Sequence, residues 1–356
     1  MPRRPPGKVV LPAMTSSRPA AVVLVALLTI GCAPRPLTPR LGDPRPFGPE
    51  WSAPLQRDHP LAGRILDVKA RRWVDQAWLD DALARAEVVV LGEVHDNPDH
   101  HLLQAREVRA MTAAGRRPAL VFEMLDTPIQ EKLDAALAGS GATAETVAAA
   151  VDWTSSGWLD FSLYRPVFEA GLAARLPLVA ANLPRATLRQ MMKMGLEALP
   201  EELRGWLARA PEPTPAELDQ LRREMAEEHC GELPEAMLRP LVLAQRARDA
   251  QLALRTSQAA RQGGAILVAG DGHARRDRGV PAWLIREQPD RSLVAVGHLE
   301  VTAERTHPDD YAADFAGRLP FDFVIFTPAA GREDPCLELR QRMRGKGRAG
   351  SGTAMP

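Results

Sequence analysis

Two stretches of this sequence crowd proton-carrying and cation-binding groups just after an apolar run. The first is Val90-Leu91-Gly92-Glu93-Val94-His95-Asp96-Asn97-Pro98-Asp99-His100-His101. The second is Leu267-Val268-Ala269-Gly270-Asp271-Gly272-His273. Each contains a Gly-x-x-His element, Gly92 to His95 and Gly270 to His273. A third apolar run, Val121-Phe122, ends in Glu123. Imidazoles and carboxylates brought together suit two chemistries. Glu93, His95 and His273 could hold a divalent metal such as zinc or manganese. Equally, Glu93 could act as general base and His95 and His273 as proton carriers, with Glu123 orienting one of them. A fourth element, Tyr164-Arg165-Pro166, adds a guanidinium fork for a carboxylate or phosphate and a phenol. The phenol could donate a hydrogen bond or, as phenolate, bind ferric iron.

Groups on separate stretches can meet only if the elements before them share an edge. Short β-branched and apolar runs occur at Val88–Leu91, Ala119–Phe122, Leu178–Ala180, Ala265–Ala269, Leu293–Val296 and Phe321–Phe326. Each reads as a buried strand, and helical patterns lie between them, the first from about Pro98. Continuous apolar strands alternating with helices predict an α/β fold with a parallel-sheet core and helices on both faces. Ligands of such sheets bind outside the carboxyl ends of the strands, which is where Glu93, His95, Glu123 and His273 fall. From about 185 to 261 the strands stop and helical charge patterning takes over, so a helical insertion is expected to cap that edge. Met191, Met192, Met194, Met225 and Met237 lie within it and could line a flat apolar ligand or fill core gaps.

Lys and Arg total 45 against 45 Asp and Glu, a balance without the basic excess expected of a nucleic-acid binder. The amino terminus is basic (Arg3, Arg4, Lys8, Arg18), then apolar from Ala20 to Ile30. The apolar run is shorter than the roughly 20 residues that span a bilayer. Residues 1–31 therefore read as a secretory signal, and Leu28-Thr29-Ile30-Gly31-Cys32 is similar to a bacterial lipobox with Cys32 as the lipidated residue. Ala33, with no Asp beside Cys32, fits an outer-membrane address in a Gram-negative bacterium, facing the periplasm. Residues 32–60, rich in Pro and Gly, read as a tether, 61–330 as the folded domain and 331–356 as a flexible tail. Cys230 and Cys336 could pair or stay as thiols.

Gly92-Glu93-Val94-His95-Asp96-Asn97-Pro98 with His100-His101 resembles the opening motif of the ChaN family of haem-binding lipoproteins. Gly270-Asp271-Gly272-His273 with Asp277 and Gly279-Val280-Pro281 resembles its closing motif. Tyr164-Arg165-Pro166, Asn182-Leu183-Pro184 and Ala244-Gln245 with Asp249 fit in order between them. The resemblance spans about Gly63 to Thr327. Asp271 stands where Asn is common. A broader group sharing the two Gly-x-x-His elements includes erythromycin esterases and Tiki-type metalloproteases. The nearer likeness implies haem as cofactor, iron uptake as role and a Tyr as iron ligand. Tyr164 is then favoured over Tyr311, the sequence's other tyrosine, with Arg165, His95 and His273 about the haem and a homodimer covering a shallow site. The remoter likeness implies a metal-dependent or His/Glu-dependent hydrolase of esters or peptides. His59, His229, His298 and His307 are assigned no role, and of His100 and His101 one is expected to reach the cleft and the other to face solvent.

Overall fold

A computed structural model describes residues 50–332, except 140, 210–213, 229 and 232–233, together with Cys336. The chain opens with a hairpin of β1 (Ile65–Asp67) and β2 (Arg72–Val74), followed by α1 (Gln76–Arg85), β3 (Val88–Glu93) and α2 (Pro98–Ala113). Next come β4 (Ala119–Asp126), α3 (Gln130–Ala138), α4 (Ala144–Ala150), α5 (Phe161–Ala173) and β5 (Leu178–Asn182). The strand-free stretch holds α6 (Arg185–Met194), α7 (Glu201–Arg209), α8 (Pro215–Glu228) and α9 (Glu235–Ala259). The chain returns through β6 (Ala265–Gly270), α10 (Asp271–Ala274), α11 (Val280–Glu287), β7 (Leu293–Glu300), α12 (Pro308–Ala312) and β8 (Phe323–Thr327).

The strands form an eight-stranded sheet in the order β2-β1-β8-β7-β3-β6-β4-β5. All neighbours from β8 to β5 are parallel, as the unbroken apolar runs predict. The β1–β2 hairpin adds an antiparallel edge that the sequence reading does not foresee, its strands being only three residues each. Alternate residues of each strand enter separate cores on the two faces, because successive side chains point to opposite sides. Val88, Val90, Val121, Leu267 and Ala269 pack under α9 and α11. Val89, Leu91, Leu120, Phe122, Ile266 and Val268 pack under α2 and α5. The α8–α9 pair adds a small core of its own from Leu221, Met225, Leu238 and Val242. Met191 and Met225 are core residues, whereas Met194 is 70% and Met237 43% exposed.

The expected boundaries shift at both ends of the domain. Residues 50–60, expected within the tether, pack on it: the Ser52 and Ala53 N–H groups donate to the Asp99 carboxylate at 2.8 and 2.9 Å. Leu55 bridges Ala329. Arg332, expected in the tail, clamps Asp96 and Glu300. Cys230 and Cys336 form a disulfide. Residues 1–31, expected to be a secretory signal, and Cys32 lie outside the described residues.

Candidate functional site

Strand order decides which of the singled-out residues meet. β6 lies between β3 and β4, so Glu93, at the end of β3, stands in register beside Gly270, at the end of β6. Glu123 rises from β4 on the far side. A Cβ on Gly270 would lie 3.0 Å from the His95 ring and 3.7 Å from Glu123 Oε2. The missing side chain is therefore what lets the two polar groups share one trough. Gly92 is packed as tightly, since a Cβ there would come within 2.2 Å of Asp271 Oδ1.

On the β3 side, Glu93 is 2% exposed. Its Oε1 accepts from His95 Nδ1 at 2.8 Å and from the Tyr164 hydroxyl at 3.1 Å. Oε2 lies 3.2 Å from His101 Nδ1, but without hydrogen-bond geometry, and finds no donor among the described residues. Burial opposes the Glu93 charge, yet His101 and His95 hold its pKa well below the usual carboxylate range. The same contacts act in reverse on the rings. Burial lowers the pKa of His95 and of His101, but the neighbouring carboxylates outweigh it and raise both. The His95 side chain is 36% exposed, with Trp158 packed edge-on at 5.0 Å.

The rest of this motif builds the turn. Asn97 caps α2, its side chain accepting from the Asp99 N–H, and Pro98 begins the helix. Both neighbouring histidines are fully buried, so neither faces solvent as expected. His101 Nε2 donates to the His95 carbonyl at 2.9 Å. His100 accepts from the Val94 N–H at 2.9 Å and meets Thr327 Oγ1 at 2.8 Å. Burial and the neighbouring His298 and His101 push its pKa well down, so it is a neutral structural ring.

On the other side of Gly270, His273 Nδ1 lies 2.6 Å from Asp249 and Nε2 lies 3.4 Å from Glu123. Glu123 is fully buried, accepts from the Gly270 N–H at 2.8 Å and pairs with Arg248. Burial opposes charge at both groups. The Glu123 and Asp249 carboxylates still push His273 up to about 9, and His273, His95 and Arg248 hold Glu123 well down. At Asp249 burial wins over His273 and raises the carboxyl. Arg248, Asp249 and Gln245, which lies 3.3 Å from His273, all come from α9, so the insertion does close over this edge.

Three expectations change. The metal set of Glu93, His95 and His273 is not assembled: the described residues contain no group of three or more ligating side chains suited to a metal ion. The reason is visible in the bonds: Glu93 Oε1 is engaged by His95 Nδ1 and Tyr164, His273 Nδ1 is held by Asp249, and the two groups stand on opposite sides of Gly270. Tyr164 does not offer a free phenol. It is fully buried, its hydroxyl is committed to Glu93, and burial together with that carboxylate raises its pKa. Tyr311 is no substitute, being buried with its hydroxyl between the Arg305 carbonyl and the Thr302 N–H, each at 3.0 Å. Arg165 lies on the outer side of α5, paired at 3.2 Å with Glu145.

Two contributors were missed. His298, on β7, is fully buried, with Nδ1 2.6 Å from the Gly92 carbonyl and Nε2 3.2 Å from Glu107. It fixes the turn that aims Glu93. Arg248 carries no local signal beyond lying one residue before Asp249. A lone His after an apolar strand and an Arg amid helical charge acquire meaning only when the chain is folded.

The family described as haem-binding uptake, Tiki superfamily, ChaN matches residues 79–284, over half of the chain. The chain belongs to this family. Among solved structures, that described as cofacial heme binding to ChaN of Campylobacter jejuni is similar over 73% of this chain and 95% of that one. The identity is 20% and the TM-score 0.57, a likeness of fold. An erythromycin esterase, EreC, in its open conformation matches 73% of this chain and 95% of its own at 14% identity and a TM-score of 0.40. No curated protein matches the chain.

Proposed function

We propose that this ChaN-family protein binds haem at the trough beside Gly270. The observation that carries the reading is His95, a ring 36% exposed beside Trp158 whose Nδ1 is held by Glu93. With Nδ1–H donated to the carboxylate, Nε2 keeps its lone pair, the arrangement that orients a histidine and strengthens it as a metal ligand. Haem supplies an iron that takes such a nitrogen. Both tyrosines are buried and engaged, so His95 is the residue that fits and Tyr164 acts through Glu93. Arg248, 28% exposed, takes the place first given to Arg165 as the cation for a haem carboxylate. The similar Campylobacter jejuni protein, described by its cofacial heme binding, supports haem as the ligand, and the reading includes a second copy of this chain as cover for the open face of the site.

The reading extends to the setting: a lipoprotein anchored through Cys32 to the outer membrane, facing the periplasm and serving haem or iron acquisition. The Cys230–Cys336 disulfide supports an oxidising compartment. The test is an absorbance titration of haemin into the purified protein. A saturable Soret shift that is lost in His95→Ala and kept in Tyr164→Phe is expected. Loss in Tyr164→Phe alone would return the ligand to the phenol. Because the proton and the iron compete for Nε2, affinity should rise with pH across neutrality.

A second reading, His/Glu-dependent hydrolysis of an ester or peptide, rests on the Asp249–His273 pair at 2.6 Å, a histidine kept protonated by buried carboxylates and so able to donate a proton, with Glu93 as the base. Ester and peptide cleavage that disappears in Glu93→Ala with His273→Ala would support it. Cleavage that persists in the double variant would end it.

A further inference from the structure

A cavity of about 590 Å³ lies between the β1–β2 turn, α12 and the segment leading into β8. None of the trough residues lines it. Its volume falls within the roughly 300–1,000 Å³ typical of small-molecule sites. The apolar part of its wall is Leu66, Leu319 and Phe321, all buried. Its polar part is four cations, Lys69, Arg71, Arg276 and Arg318, against two acids, Asp309 and Asp322. The acids are already matched: Arg71 forks onto Asp309 at 3.0 and 3.2 Å, and Arg276 meets Asp322 at 2.6 Å. Asp322 is further committed to the Ala295 N–H at 2.8 Å. Lys69 and Arg318 converge on the same cavity with no acidic partner among the described residues.

The backbone adds an independent sign that the rim is held in place. Arg71 has φ of +49° and Ala316, just before Gly317, has φ of +56°. Left-handed conformations are costly for a non-glycine residue and cluster where surrounding structure fixes a functional geometry. Here they set the turn that carries Arg71 to Asp309 and the bend that delivers Arg318.

We infer that this cavity is a second ligand site, which takes a small organic anion: a carboxylate or phosphate held by Lys69 and Arg318, with an apolar body against Leu66, Leu319 and Phe321. The anionic group completes the charge balance that the two aspartates leave unfinished.

The test is isothermal titration calorimetry on the intact haem-free protein with octanoate, octyl phosphate and octylammonium. Saturable binding of octanoate or octyl phosphate is expected, and whichever binds more tightly names the head group. Octylammonium should not bind. The Lys69→Glu/Arg318→Glu variant should weaken the anion at least tenfold. Both residues are exposed, so the change spares the core, and the haemin titration should be unaltered. In the parent protein, raising salt from about 50 to about 500 mM should also weaken binding, because the contact is ionic. Anion binding unchanged in the variant, equal binding of octylammonium, or no binding of either anion would each overturn the proposal.

Discussion

Replacing Tyr164 by Phe removes a single oxygen from the centre of the site and nothing from its packing. The ring is fully buried, 4.3 Å from the His101 ring and 5.1 Å from Trp153, and Phe keeps both contacts. What disappears is the hydroxyl donated to Glu93 Oε1 at 3.1 Å. Glu93 is charged and its other oxygen has no donor among the described residues, so the loss is not made good locally. Hydrogen bonds to charged groups contribute about 1.5–3 kcal/mol. The distance is long for an O–H···O bond, which places this one at the low end, about 1.5 kcal/mol. Urea unfolding followed by tryptophan fluorescence and circular dichroism should show that loss at pH 7, with an unchanged slope. Haemin should still give a saturable Soret band. A variant within about 0.5 kcal/mol of the parent, the range of a neutral surface change, would refute the hydrogen-bond argument. A variant that folds but gives no Soret band would refute the view that the tyrosine supports His95 from behind.

Asp271 gives a pH test: burial pushes its carboxyl up to about 7 from an ordinary 3.8, so its own contribution to stability is fully present below about 3.8 and is lost as pH rises through about 7. Asp271→Asn should remove that loss and be more stable than the parent at pH 8, as measured by urea midpoints. His273 shows the same sign at higher pH. Its contribution is complete below about 6.5 and is lost as pH rises through about 9, so His273→Gln should flatten the alkaline limb of the stability profile. Gly92→Ala drives a Cβ to 2.2 Å from Asp271 Oδ1 and 3.2 Å from the Val296 carbonyl. Overpacking of this kind costs about 1–3 kcal/mol, and Gly139→Ala, with φ of −71° and its nearest neighbour the Ala136 carbonyl at 3.6 Å, provides the comparison in the same urea assay. Reducing the Cys230–Cys336 disulfide, which closes a loop of 106 residues, should lower the thermal midpoint, the loss of stability being at most the roughly 4.7 kcal/mol of chain entropy such a loop holds. An unchanged midpoint in Cys230→Ser would mean that segment unfolds separately.

The sequence by itself determined the six strands of the parallel core and the edge on which the chemistry sits, but not the β1–β2 hairpin. Val88–Leu91 and Ala265–Ala269 are unbroken apolar runs that only a sheet covered on both faces can bury, and the motifs follow where those runs stop. It also determined the start of α2, since Asn97 and Pro98 are local signals whose partners lie within a few residues. Only the tertiary structure decided what each polar group does. The order β3-β6-β4 put Glu93 and Glu123 on either side of Gly270, and no local pattern encodes strand order. It turned Tyr164 inward to Glu93 and Arg165 outward to Glu145, although the two are adjacent in sequence, because neighbouring residues on a helix point about 100° apart. It brought Arg248 and Asp249 from a distant helix and His298 from a distant strand, contacts 24 to 206 residues apart along the chain. Residue type limits which bonds a group can form. Which of them it does form depends on burial, because a polar atom removed from water must take the partner that the fold delivers.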